Sequence, residues 1–127
     1  NPRWWGRVDA LQVDLYDHEA AAPVLDSYLF YSHCRRLLTD QGCLTVNLFG
    51  RASSFARSLD KLSDAFGASA VWAFKPTREG NTVVLAQRSP NRPVADLLLA
   101  RAAEIEARWG VPAVKWVRGC KPCAAIA

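Results

Sequence analysis

From Val8 to Phe66 the apolar residues alternate between a repeat of two and a repeat near 3.6, the spacings of strands and helices. Leu11, Val13 and Leu15 fall on one face of an expected strand, Val8 to Tyr16, whose two faces are largely uncharged until Asp14 and so fit a strand covered on both sides. Phe30, Cys34, Leu37 and Leu38 form a helical stripe behind Asp26 or Ser27 as cap. Gly42 is placed to close that helix in the left-handed conformation. Leu44, Val46 and Leu48 alternate again in a strand from Cys43 to Phe49. A second helix opens at Ser53 or Ser54, repeats through Phe55, Leu59, Leu62 and Phe66, and ends at Gly67. Strands joined through helices lie parallel, so the first half reads as two right-handed crossover units of a mostly parallel α/β sheet.

The second half begins differently. Strands are expected at Ala70 to Lys75 and Thr82 to Arg88, and Pro76 to Asn81 joins them. A connection that short allows only an antiparallel pair. A helix follows from Pro93 to Trp109, with Val94, Leu98, Ala102, Ile105 and Trp109 on one face, stopped by Gly110 and Pro112. Val114 to Val117 reads as an extended piece before a tail. Residues 1–118 thus form one α/β domain and 119–127 a C-terminal tail, with no internal repeat. Near the start, Pro2 and Gly6 break any helix.

In a parallel sheet ligands bind beyond the carboxyl ends of the strands. Asp14 and Asp17 fall at that edge, three residues apart, and Asn47 and Gly50 reach it from the next strand. Two carboxylates there suit three tasks: binding a divalent metal, recognising a cationic ligand, or acting as acid and base. Glu19 is the near candidate for a third metal ligand. His18 follows directly on the acids and could titrate near neutrality. The bland reading of Asp17 is a turn-forming or capping residue.

Composition narrows the alternatives. The net charge is +4, but the sixteen Lys and Arg residues are scattered and do not interleave with aromatics, so nucleic-acid binding is not expected. No apolar run reaches the roughly 18 residues of a membrane span. Asn1 to Trp5 lacks a signal-peptide layout, which makes a cytoplasmic location the expectation. Trp72, Trp109 and Trp116 are expected in the core. Cys120 and Cys123 form a CxxC in the tail, where neither a zinc partner pair nor a following helix accompanies them.

The stretch Asp-Ala-Leu-Gln-Val-Asp-Leu-Tyr-Asp (residues 9–17) resembles the spermidine synthase family of aminopropyltransferases. Leu25, Phe30-Tyr31 and Leu37-Leu38 ahead of Gly42 continue the likeness, and Glu79-Gly80-Asn81 leads into its last strand. The resemblance implies a Rossmann-like sheet of the S-adenosylmethionine-dependent methyltransferase type, of which this chain is similar to the C-terminal half. It implies aminopropyl transfer from decarboxylated S-adenosylmethionine, a co-substrate and not a permanent cofactor, to an amine such as putrescine. Asp14 would deprotonate the attacking amine and Asp17 would help hold it, with Tyr16, His18 and Asn47 beside the substrate. The loop from His18 to Pro23 would close over the site.

Departures from the family pattern are also plain. Leu15-Tyr16 stand between the acids where many members have two small residues, and His18 stands where many have proline. Thr77-Arg78-Glu79 occupies the loop where diamine-binding members often carry a tyrosine. None of the seven glycines forms a Gly-x-Gly, so the donor-binding loop has no counterpart, nor does the acid expected on the donor's ribose. Half of such a sheet would leave the first strand with an open edge, to be covered by a second copy or by a missing N-terminal half. The alternative to an acceptor half-site is a non-catalytic or repurposed module serving assembly or ligand binding.

Overall fold

The computed structural model describes residues 1–14, 26–49 and 52–124. After a 3-10 turn at Pro2–Trp4, capped by the Asn1 side chain, the chain forms β1 (Val8–Val13) and α1 (Tyr28–Leu37). There follow β2 (Leu38–Phe49), α2 (Ala52–Phe66), β3 (Val71–Ala73) and β4 (Asn81–Gln87). Two helices, α3 (Ala95–Trp109) and α4 (Ala113–Arg118), precede a two-residue β5 (Lys121–Pro122). The fold is α/β, with one mixed sheet in the order β1-β2-β4-β3-β5.

β1 and β2 are parallel, as the intervening helix requires. β4 is antiparallel to both β2 and β3, so β3 runs in the same direction as β1 and β2. The expected antiparallel pair is present. The position of β4 was not anticipated, because it slots between β2 and β3 and bonds to both.

The core lies on one face of this sheet. Leu44 and Val46 from β2, Val84 and Ala86 from β4 and Val71 from β3 meet Tyr31, Cys34 and Leu38 from the α1 side. From α2, Leu62 and Phe66 complete the layer, with Phe55 and Leu59 packed against it. The alternation expected for β2 and the repeat expected for α2 are both the observed buried sets. In α1 the buried set is shifted to Tyr31 and Cys34, with Phe30 only partly buried. Ser27 is the cap, accepting a hydrogen bond from the Phe30 amide at 3.1 Å.

Asp26 is thereby free for another task. Its carboxylate accepts from the Tyr31 hydroxyl (2.7 Å), the Ser58 hydroxyl (2.9 Å) and Lys61 Nζ (3.1 Å). Lys61 also donates to the Asp26 carbonyl at 2.9 Å. The first turn of α1 is therefore tied to α2 through one carboxylate. Burial pushes the Asp26 pKa up, but the hydrogen bonds from Tyr31, Lys61 and Ser58 together outweigh it and leave it below its usual value. For Tyr31, burial and then the Asp26 bond push the hydroxyl pKa upward.

Several sequence expectations are corrected. Gly42 does not end α1; the helix stops at Leu37, and Gly42 lies buried within β2. A Cβ there would sit 2.8 Å from the Val8 carbonyl oxygen and 3.0 Å from Leu38 Cβ, so close strand approach explains the glycine. It falls where the β1–β2 register shifts, between the pairs Val8–Leu38 and Ala10–Cys43. The exposed carbonyls at the end of α1 are met instead by Arg88, whose Nη1 donates to the Arg35, Arg36 and Leu38 carbonyls.

Nor is β1 covered on both sides. Leu11 and Val13 pack against the core, whereas Asp9, Ala10 and Gln12 are exposed, and β1 is an edge strand. Helix α3 forms, and Gly110 stops it at φ 71°, but among its apolar residues only Ala102 is buried. Val94, Ile105 and Trp109 are exposed because α3 packs chiefly on α4 and not on the sheet. Of the three tryptophans placed in the core, Trp72 is there at 8% exposure, while Trp109 and Trp116 are at 62% and 50%. Pro93 precedes the cap of α3 instead of entering its first turn.

Residues 113–118 are helical, not extended. The Glu106 carboxylate accepts from the Val114 amide at 3.3 Å and supplies a partner that a free helix start lacks. Lys121 and Pro122, within the expected tail, add a strand beside β3.

Candidate active site

The carboxyl ends of the parallel strands bring the candidate residues together. Gln12 and Val13 pair with Thr45 and Val46, so the next residues along, Asp14 and Asn47, stand side by side. Asn47 Nδ2 donates to Asp14 Oδ1 at 3.2 Å. That bond fixes the amide orientation, because the reverse would set two oxygens against each other. Asp14 is exposed, and among the described residues it meets no cation. Among the described residues one carboxylate oxygen is thus held and the other has no partner.

The remaining oxygen of Asn47 is a second notable group. Asn47 Oδ1 is buried and has no hydrogen-bond partner among the described residues. The same is true of Asn81 Oδ1. Asn47 pairs with Val83, and Asn81 pairs with Phe49, so the two asparagines are diagonal neighbours on one face of β2 and β4. Diagonal neighbours lie about 7–8 Å apart. Asp14, Asn47 and Asn81 therefore present acceptor oxygens at one edge, and unpaired buried acceptors favour a ligand rich in N–H donors.

Asp17, Tyr16 and His18 lie outside the described residues, as do Gly50 and the His18 to Pro23 loop. Of the residues singled out at this edge, the structure unites Asp14 and Asn47. Asn81 was passed over as a site residue, although its place at the turn before β4 sets it at the same edge. Among the described residues, no three His, Cys, Asp or Glu side chains converge as a metal site would require.

A groove of about 550 Å³ lies past the end of β3, lined by Lys75, Lys115 and Arg118 with Glu106. Its excess of cations disfavours an amine, so the Asp14 edge is the better match for a cationic ligand.

No family model matches the chain. In sequence it is 26% identical, over 117 residues, to the polyamine aminopropyltransferase of Chromobacterium violaceum, a match covering 91% of this chain and 44% of that protein. In sequence the chain is similar to the polyamine aminopropyltransferases. The aminopropyltransferase likeness extends to the fold. A spermidine synthase from Thermotoga maritima superimposes with a TM-score of 0.51 at 14% identity, covering 71% of this chain and 32% of that one. A spermidine synthase in complex with the transition state analogue AdoDATO gives 0.54 at 14% identity, covering 81% and 35%. The sheet is therefore of the spermidine synthase, methyltransferase-like type. This chain spans less than half the length of these aminopropyltransferase relatives. Among the described residues no helix is long and apolar enough to cross a membrane.

Proposed function

We propose that this chain forms the acceptor side of an aminopropyl-transfer site, with decarboxylated S-adenosylmethionine as donor and a small amine as acceptor. The observation that carries this reading is the Asp14 carboxylate at the end of β1, oriented by Asn47 and open on its second oxygen. The sequence likeness to a polyamine aminopropyltransferase supports it.

The chemistry follows from the groups at that edge. A protonated amine entering the site offers N–H bonds to the Asp14 carboxylate and to the unpaired oxygens of Asn47 and Asn81. The open oxygen of Asp14 removes one proton from the reacting nitrogen, which frees its lone pair. That lone pair attacks the aminopropyl carbon beside the sulfonium. The C–N bond forms as the C–S bond breaks, and methylthioadenosine leaves with the electron pair on a neutral sulfur. Among the described residues Asp14 has no cationic partner, and a substrate cation would offset the carboxylate. In this reading Asp17 holds the remote end of the acceptor, and Tyr16 and His18 lie beside it. The donor is bound by sequence outside this chain or by a second copy, which also covers the open edge of β1. The site belongs to a soluble, cytoplasmic transferase of polyamine biosynthesis.

The test has two parts. Calorimetric titration with putrescine and longer polyamines reads acceptor binding without the donor, and binding is expected to weaken in Asp14→Asn. Incubation with decarboxylated S-adenosylmethionine and the same amines is then followed for methylthioadenosine. Product formation undiminished by Asp14→Asn would remove Asp14 as the base. Light scattering that shows a monomer whose β1 amides resist exchange would overturn the covered edge.

A further inference from the structure

Cys120 and Cys123 flank the two residues of β5. Lys121 stands opposite Ala73 and Pro122 opposite Trp72. The Cys123 amide donates to the Val71 carbonyl at 2.9 Å. Residues 71 and 123 are therefore a hydrogen-bonded pair of the antiparallel ladder, and 72 and 122 are the non-bonded pair between rungs. The missing N–H of Pro122 falls where the ladder does not need one.

This register decides what the thiols can do. Extended chain advances about 3.3 Å per residue, which sets the Cα atoms of Cys120 and Cys123 roughly 10 Å apart. A disulfide requires Cα atoms within about 7 Å. Both thiols are free, one partly buried and one exposed, and the strand between them keeps them from bonding. Bond and strand cannot coexist.

We propose that Cys120 and Cys123 are a redox dithiol whose disulfide forms only when β5 leaves β3, so that oxidation by a low-molecular-weight disulfide unlatches the strand. The exposed Cys123 loses its proton and attacks one sulfur of the small disulfide, displacing the other half as a thiolate. Residues 120–123 then turn, the Cys120 thiolate attacks Cys123 Sγ, and the second small thiol departs. The protein loses two hydrogens and the oxidant gains them. While β5 is docked, burial and the nearby Cys123 push the Cys120 thiol up to about 11, and burial raises Cys123 as well. Docking thus disfavours both thiolates, and fraying of the strand favours exchange.

Undocking has a defined structural result. Trp72 loses its neighbour Pro122, and β3 becomes the sheet edge. Arg92, whose Nη2 donates to the Ala124 carbonyl and whose Nε is buried without a partner among the described residues, loses a tie to the tail. An uncovered strand edge is a template for pairing with another chain.

The whole chain is to be treated with excess oxidised glutathione at pH 8, alkylated, and mapped by peptide mass spectrometry. Amide exchange at Cys123 is measured before and after. The expected result is an internal Cys120–Cys123 disulfide together with exchange at Cys123 faster by about tenfold or more. Cys120→Ser, treated alike, stops at a glutathione adduct on Cys123 and forms no internal bond. An internal disulfide with Cys123 still protected would overturn the proposal. So would glutathione on both thiols without the internal bond, or two thiols that stay reduced.

Discussion

Asp26 and Asp14 both stand beside the ends of elements on the same small sheet, yet they are furnished in opposite ways. Asp26 is met by a hydroxyl from its own helix and by a hydroxyl and an ammonium from the next. Among the described residues Asp14 is met by one amide nitrogen, and its neighbours Asn47 and Asn81 hold buried oxygens without a partner. A carboxylate surrounded by donors from its own protein is a fastening. One set among further acceptors leaves room for donors from a ligand. The contrast separates the acid that holds the helices from the acid proposed for chemistry.

The strongest way to break this comparison is at Asp14. Asp14→Asn is expected to lower amine-dependent methylthioadenosine formation by roughly 10²–10⁴-fold, the usual contribution of a general base. Its urea unfolding free energy should stay within about 0.5 kcal/mol of the parent, because the carboxylate is exposed and makes a single hydrogen bond among the described residues. A loss of stability as large as that of the Asp26 variant would erase the distinction.

Asp26→Ala should show the reverse pattern. Tyr31 is 2% exposed, and its hydroxyl would lose its partner inside the core. The expected destabilisation is about 1–3 kcal/mol by urea titration. Most of it arises from the hydroxyl bonds, because the Lys61 pair is more than a third exposed and screened by water.

Arg88→Ala probes a fastening of another kind, at the far end of α1. Three helix-terminal carbonyls would lose a charged donor, with an expected cost of about 1–2 kcal/mol in the same titration. Arg88→Lys should recover part of it, because all three carbonyls are met by one nitrogen, Nη1, and an ammonium also carries several donors.

The smallest expected effect is the pH dependence of the Asp26 tie. Its folded pKa lies below the ordinary 3.8, so the stability it adds is present at neutral pH and is lost as pH falls below that value. Tyr31 has the opposite sign. Its pKa is raised, so its contribution is present below the ordinary 10.0 and fades as pH rises beyond it. Urea midpoints measured from pH 7 down to pH 3 should fall more steeply for the parent than for Asp26→Asn.

The sequence showed most where a local period could speak for burial. The alternation of Leu44 and Val46, and the repeat through Leu62 and Phe66, depend only on which face meets the core. Asp14 was legible for a related reason, since a carboxylate at the close of an apolar strand interrupts the pattern. Long-range partners were not legible. Arg88 caps a helix more than fifty residues earlier, and nothing in either segment announces that meeting. The apolar stripe on α3 has the right spacing for burial, but period does not reveal whether anything packs against it, and most of that stripe is exposed. Gly42 was misread because a glycine after a helix and a glycine under a crossing backbone look the same in one dimension.

The placing of β4 also bears on the order in which the chain assembles. β3 and β4 meet across a short turn, whereas β2 and β4 join residues some forty positions apart. Closing a longer loop costs more entropy, so the hairpin is expected to form before the β2–β4 seam. Asn81 would then reach the Asp14 edge only in the final docking of two preformed halves. Pulsed exchange labelling during refolding would reverse that order if the β2–β4 amides gained protection ahead of the hairpin.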